Sequence, residues 1–285
     1  MKLLVALALV GLVGSAVAEE WVSPVELDYH NKIGIPAAAR IKAAEQALDF
    51  DGARIVGGSA AHLGQYPYLG GLVISLTSGG TSVCGSSLLS NTRSVTAAHC
   101  WRNTQSQARS FTIVWGSTLL FSGGTRVSTS DVEMHASYNM QTLVNDVAII
   151  RHSWVTYNNN IHNINLSSGS NLFVGSWAWA AGFGATSDSQ LGIPSTAFLS
   201  HVTVQVVNSN VCLAVYGGNT VQASTLCVAT TGGRGTCGGD SGGPLVIDNQ
   251  LIGITSFGHV DGCQRNHPAG FVRVSSFASW LWARM

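Results

Sequence analysis

From residue 55 onward the apolar residues fall into short runs: Leu69–Leu76, Phe111–Trp115, Val147–Ile150, Trp177–Ala181, Val202–Val207, Leu245–Ile247 and Leu251–Phe257. Runs this short, bounded by Gly, Ser and Asn, fit strands better than helices. Many short strands with such turns predict an all-β sandwich or barrel. Two stretches have helical character instead. Ala37–Leu48 is rich in alanine, and Ser275–Arg284 places Phe277, Trp280 and Leu281 at helical spacing, predicting a closing helix. The remaining apolar run, Leu3–Val13, has Lys2 before it and Ala16-Val17-Ala18 after it. That is the pattern of a secretory signal cleaved after Ala18. The run is shorter than the ~20 apolar residues that span a bilayer. Residues 1–18 are therefore expected to be removed, and the protein to be secreted with no membrane partner.

Composition narrows the class. The chain has 285 residues, is 46% hydrophobic and 10% charged, and holds 33 glycines, the profile of a compact, loop-rich β protein. Six cysteines suit an oxidising destination, and as a set they admit fifteen pairings. No close Cys-x-x-Cys or Cys/His cluster is present, so no zinc site is expected. Glu19–Arg54 is distinct, with seven acids against four bases; after it, nine arginines face seven acids. That balance leaves no strong field for nucleic acid. The three lysines, Lys2, Lys32 and Lys42, all precede Arg54. Arginine keeps its charge past pH ~12 whereas lysine loses it near ~10.4. The lysine-free stretch therefore predicts work in alkaline surroundings.

Candidate chemistry lies in three motifs. Residues 237–245 read Cys-Gly-Gly-Asp-Ser-Gly-Gly-Pro-Leu. Glycine tolerates backbone angles closed to other residues and lets a substrate approach the main chain. Ser241 can then present its Oγ outward, with the N–H groups of Gly239 and Ser241 aimed at one oxyanion. Taken alone, the run also reads as a glycine-rich surface loop. Thr96-Ala97-Ala98-His99-Cys100 follows an apolar stretch, and Asn145-Asp146 precedes Val147–Ile150. A lone His is usually structural, and a lone Asp before a strand is usually a turn residue. In the chain order His…Asp…Ser, the three match a known order of catalytic triads.

With these motifs the chain resembles the chymotrypsin-like serine peptidases from Ile55 to Met285. Its missing lysines make it closest in character to the midgut chymotrypsins of lepidopteran larvae. The resemblance implies two six-stranded antiparallel β-barrels with a C-terminal helix, His99 and Asp146 coming from the first and Ser241 from the second. It pairs Cys84 with Cys100, Cys212 with Cys227, and Cys237 with Cys263. It makes His99, Asp146 and Ser241 catalytic, with an oxyanion hole at Gly239 and Ser241. Arg54-Ile55-Val56-Gly57-Gly58 resembles the family's activation junction. Residues 19–54 would then be a removable pro-segment and 55–285 the peptidase domain. A trypsin-like peptidase would cut after Arg54, and the new Ile55 α-amino group would pair with Asp240. The implied partners are protein and peptide substrates, the activating peptidase and proteinaceous inhibitors, acting on a monomer that needs no cofactor. Trp115–Ser130, where several relatives hold calcium, contains no acid, so no metal is expected.

The substrate-binding positions implied are Gly235, Ser256, Gly258 and Ala269. Trypsin-like relatives carry an acid six positions before the serine, where this chain has Gly235, and others carry one on the opposite wall, where it has Ala269. Without a carboxylate, a cationic side chain would enter uncompensated. The expected preference is for Phe, Tyr, Leu or Met, in digestion within a gut lumen. The Ala269 methyl also admits a shallower, elastase- or collagenase-like pocket. A regulatory peptidase of clotting or immunity fits less well, because residues 19–54 hold no cysteine from which to build an added module. A non-catalytic homologue would have lost part of the triad.

Overall fold

The computed structural model describes residues 23–47, 59–185, 187–188 and 198–285. The expected signal sequence and the Arg54–Ile55 junction lie outside these residues. Among them are two barrel-like sheets, antiparallel except where Asn165–Leu166 joins Gln250–Phe257, and a short C-terminal helix, the all-β class expected. The strands are β1 (Ser59–Ala60), β2 (Leu69–Leu76), β3 (Thr81–Ser90), β4 (Arg93–Thr96), β5 (Ala108–Trp115), β6 (Thr125–Thr129), β7 (Val132–Met134) and β8 (Ala148–Arg151). They continue with β9 (Asn165–Leu166), β10 (Trp177–Gly182), β11 (Ser200–Val207), β12 (Thr225–Ala229), β13 (Pro244–Ile247), β14 (Gln250–Phe257) and β15 (Ala269–Arg273). The first sheet is an open path of seven strands, in the order β6-β5-β2-β3-β4-β8-β7. In the second, β11-β10-β13-β14-β15-β12 returns to β11 and closes a ring of six, with β1 and β9 added outside it.

The alternation that predicted strands also fills the ring. Ala178 and Ala180, Val204 and Val206, and Leu226 and Val228 point every second side chain inward, where they meet Leu245, Ile252 and Phe271. In the open sheet, Leu72, Ile74 and Leu76 on β2 and Phe111, Ile113 and Trp115 on β5 do the same, all of them inaccessible to solvent. Strand β3 departs from alternation: Ser82 through Leu89 are all buried. One face meets the core. The other is covered by the N-terminal segment, which forms a π-helical turn at His30–Gly34 and then helix α1 (Ile35–Ala47). Pro36 sits in the first turn of α1, where its missing N–H leaves no helical hydrogen bond unmade.

Two smaller helices complete the chain. Helix α2 (Ser209–Tyr216) starts where the Asn208 side chain accepts from the Asn210 N–H at 2.9 Å. Helix α3 (Ala278–Trp282) follows a tight turn near the C-terminus and buries Leu281. Three disulfides join Cys84–Cys100, Cys212–Cys227 and Cys237–Cys263, the pairs that the resemblance implies.

The two sheets touch backbone to backbone. The Gly85 N–H on β3 donates to the Ser241 carbonyl at 2.7 Å, and the Gly85 carbonyl accepts from Thr96 Oγ1 at 2.7 Å. A Cβ placed on Gly85 would lie 2.8 Å from the Gly243 Cα and 3.0 Å from its nitrogen. Main chain cannot rotate aside as a side chain can, so only glycine fits. Gly85→Ala is expected to destabilise the protein by about 1–3 kcal/mol through overpacking. Calorimetry should show the thermal midpoint fall by several degrees, and an unchanged midpoint would mean that the seam yields freely.

Candidate active site

Pairing between β4 and β8 brings His99 and Asp146 together. Thr96, at the end of β4, is registered against Ala148, at the start of β8. The residues just beyond those ends therefore meet at one edge of the sheet. His99 sits in the turn Ala98–Cys100, which the Cys84–Cys100 bond ties to β3. Asp146 is completely buried and its carboxylate is fully engaged. Its Oδ2 accepts from His99 Nδ1 at 2.7 Å and from Ser256 Oγ at 2.6 Å, while Oδ1 accepts the His99 backbone N–H at 2.8 Å. A carboxylate held by three donors fixes the ring with its proton on Nδ1 and leaves the Nε2 lone pair free to act as a base.

Ser241 comes from the other sheet, on the loop before β13. The Cys237–Cys263 bond anchors that loop, and turns bind it internally, Asp240 N–H to the Cys237 carbonyl at 3.0 Å and Gly243 N–H to the Asp240 carbonyl at 2.9 Å. Gly239 has φ +111° and Gly242 φ +78°, angles that side chains rarely allow. The Asp240 side chain turns away from Ser241. It accepts N–H groups from Gly184 at 2.8 Å and Cys237 at 2.9 Å, beside a cavity of about 60 Å³ lined also by Gly182, His201 and Val202. Burial raises its pKa above the ordinary carboxylate range, against the lowering effect of those N–H groups and of the nearby Arg40.

A larger cleft of about 320 Å³ contains His99 and Ser241, with Ser256, Phe257, Gly258 and Ala269 in its walls. Gly235 lines the smaller cavity beside Asp240, and the neighbouring Thr230 lines the larger cleft. Ser256, expected only to bind substrate, is also a hydrogen-bond donor to Asp146.

The N-terminal segment also reaches this cleft. Tyr29 is 5% exposed, and its ring lies edge-on to His99 at 4.7 Å between centroids. Its phenol lies beside the Ser241 side chain and donates to the Val83 carbonyl at 2.8 Å. His99 Nε2 is buried and has no hydrogen-bond partner among the described residues. The histidine is thus oriented by Asp146 but not linked to the serine.

The profile of the family described as Trypsin matches residues 55–281. The chain belongs to the trypsin family. Serine protease 1 of Drosophila melanogaster is 36% identical over 235 residues, covering 80% of this chain and 84% of that protein. Trypsin delta of the same fly is 37% identical over 231 residues, covering 80% and 87%. The collagenase of Hypoderma lineatum is 35% identical over 233 residues, covering 80% and 86%. The solved structure of HL collagenase superposes with a TM-score of 0.74 at 35% identity, covering 81% of this chain and 98% of that one. These trypsin-family relatives are fly proteins named for several activities, which is broader than the lepidopteran chymotrypsins that the missing lysines point to.

The trypsin-family match begins at residue 55, so Tyr29 and its neighbours lie outside it. In that stretch the sequence gives helical character only to Ala37–Leu48, and the family resemblance makes residues 19–54 a removable pro-segment, with no signal that Tyr29 reaches the site. One group of the stretch carries a pH signature. His30 is inaccessible to solvent, with Nδ1 bonded to Ser82 Oγ at 2.8 Å. Burial first, and His99 second, push its pKa down from 6.5 to about 3. A base with a depressed pKa stabilises the docked form above pH 6.5 and loses that contribution progressively as pH falls toward 3. In the uncut protein, the His30 ring resonance is expected to stay in its neutral position from pH 7 to about 4.5. Titration near 6.5 would show that the segment is not docked.

Proposed function

We propose that the protein is a secreted precursor of a serine endopeptidase, activated by cleavage after Arg54. The observation that carries this is the His99–Asp146 pair, closed at 2.7 Å on one sheet, facing Ser241 on a glycine loop of the other. In the cut enzyme Ser241 Oγ attacks a peptide carbonyl and His99 Nε2 takes its proton. Asp146 holds the imidazole and stabilises the imidazolium that forms. The N–H groups of Gly239 and Ser241 hold the oxyanion, and water releases the acyl-enzyme.

Activation follows from Asp240. Its carboxylate is held by two N–H groups and faces the small cavity, so a cationic partner would be strongly favoured there. The Ile55 α-amino group freed by the cut is that partner. Pairing raises the amine's pKa above its usual ~7.7–8. The active form is then favoured below the raised value and lost as pH climbs through it. The missing lysines support a working range in alkali, below that limit.

Specificity rests on the absence of a carboxylate at Gly235 and Ala269, with Gly258 leaving the entrance open. The preference is for Phe, Tyr, Leu or Met before the cleaved bond, as in a digestive peptidase of a gut lumen. The likeness to a protein named collagenase supports a broader, shallower pocket as the second reading. After cutting at Arg54, paired peptides differing only at that residue should be cleaved after Phe or Leu and left intact after Arg or Lys. Rapid cleavage after Arg would overturn the pocket argument. Asp146→Asn should lower kcat about 10⁴-fold, as the equivalent change does in related triads, whereas a loss below tenfold would take the catalytic role from Asp146.

A further inference from the structure

The N-terminal segment crosses the entire cleft. It begins beside β14, where the Pro24 carbonyl accepts the Val260 N–H at 3.0 Å, and Val25 is buried with Leu143, Tyr216 and Phe257. Tyr29 then seals His99 and Ser241. Beyond them, Ile33 packs on Gly238, Ala37 stands against Gly239, and Arg40 reaches the Gly238 carbonyl at 3.5 Å, close to Asp240. The far end is fixed by Glu45, whose carboxylate accepts the Leu120 and Phe121 N–H groups and the Ser122 hydroxyl. Gly34 permits the approach: a Cβ there would collide with Ser82 Oγ.

This is the path of a ligand, and its backbone is not one that a peptidase of this geometry could cut. A peptidase of this geometry needs an extended peptide whose main chain can pair with the cleft edge and present a carbonyl to the serine. After Tyr29 this chain coils into the π-helical turn and α1, where its carbonyls are spent on internal bonds such as Ile35 N–H to the His30 carbonyl. The segment contains no cysteine, so only noncovalent contacts hold it.

We propose that residues 23–47 are an inhibitor of the catalytic cleft in their own right. The segment remains bound after the Arg54–Ile55 bond is cut and must dissociate before substrate can enter. Activation then takes two steps, a cut and a release. The released peptide can rebind its own or a second copy of the enzyme. Arg40 near Asp240 adds a second effect, because the bound segment places a cation beside the carboxylate that Ile55 must reach. The inference rests on the reading of Arg54–Ile55 as the activation junction.

The test uses the full chain carrying Asp51→Ile, Gly52→Glu and Ala53→Gly. A peptidase that requires Ile-Glu-Gly-Arg then cuts after Arg54 while sparing Lys32, Arg40 and Lys42. The cut mixture is left unseparated and assayed on a small peptide substrate over a dilution series. Specific activity is expected to rise at least roughly tenfold between about 10 µM and 10 nM, with a lag after each dilution while the segment leaves. The same chain with Tyr29→Ala should show high specific activity at every concentration, without the lag. Constant specific activity in the parent chain, with no lag, would overturn the inference while leaving activation intact. No activity in either chain at any dilution, after confirmed cutting, would instead overturn the activation reading. The parent chain alone decides the first question, so a folding defect in Tyr29→Ala would not obscure it.

Discussion

His99 and Asp146 belong to one sheet and Ser241 to another, so their relation depends on a contact between two backbones. Gly85 on β3 lies against Gly243 and hydrogen-bonds the carbonyl of Ser241 itself. On the other side of the seam, Gly242 packs so close to Thr96 and Ala97 that a Cβ would strike the Thr96 hydroxyl. Thr96 and Ala97 directly precede the turn that carries His99. The serine loop is therefore indexed against the histidine chiefly by main-chain atoms, which cannot change rotamer to absorb an error. Side chains at such a seam would put a flexible spacer between groups that must align within fractions of an ångström.

Around this seam the structure separates orientation from access. Asp146 already has its three donors, and the imidazole is already set. What is withheld is the partner of Nε2 and the route to it, both governed by residues 23–47. The phenol of Tyr29 is well suited to that task, since its ring fills apolar space against His99 and its hydroxyl finds a carbonyl at Val83. A trypsin-family serine protease held in this way keeps its catalytic pair assembled and its cleft closed.

Much of this was legible in the sequence, and the parts that were not share a physical cause. The apolar runs located β2 and β14 almost to the residue, and the expected helices near Ala37–Leu48 and Ser275–Arg284 correspond to α1 and α3. The histidine, aspartate and serine motifs are brought to one cleft. Strand β3 carries no clear strand signal because Ser82, Ser86 and Ser87 look like solvent-facing positions, whereas all three are buried, with Ser82 under the N-terminal segment. Helix α2 escaped because eight residues give little periodicity; its signal is the Asn208 cap. The role of Tyr29 had no local signature. Only tertiary contact reveals it, since nothing in the spacing of a tyrosine beside an alanine-rich helix points to a histidine seventy residues away.

Under the proposed activation, Ser241 becomes a nucleophile, activated by His99 across the seam, once the chain is cut after Arg54. Covalent labelling with a fluorophosphonate, mapped by mass spectrometry, tests it most directly. A single label is expected on Ser241 in the cut protein freed of its N-terminal segment, little in the uncut protein, and none when His99 is replaced by alanine. An unlabelled Ser241 in the cut, separated protein, or labelling indifferent to His99, would contradict it.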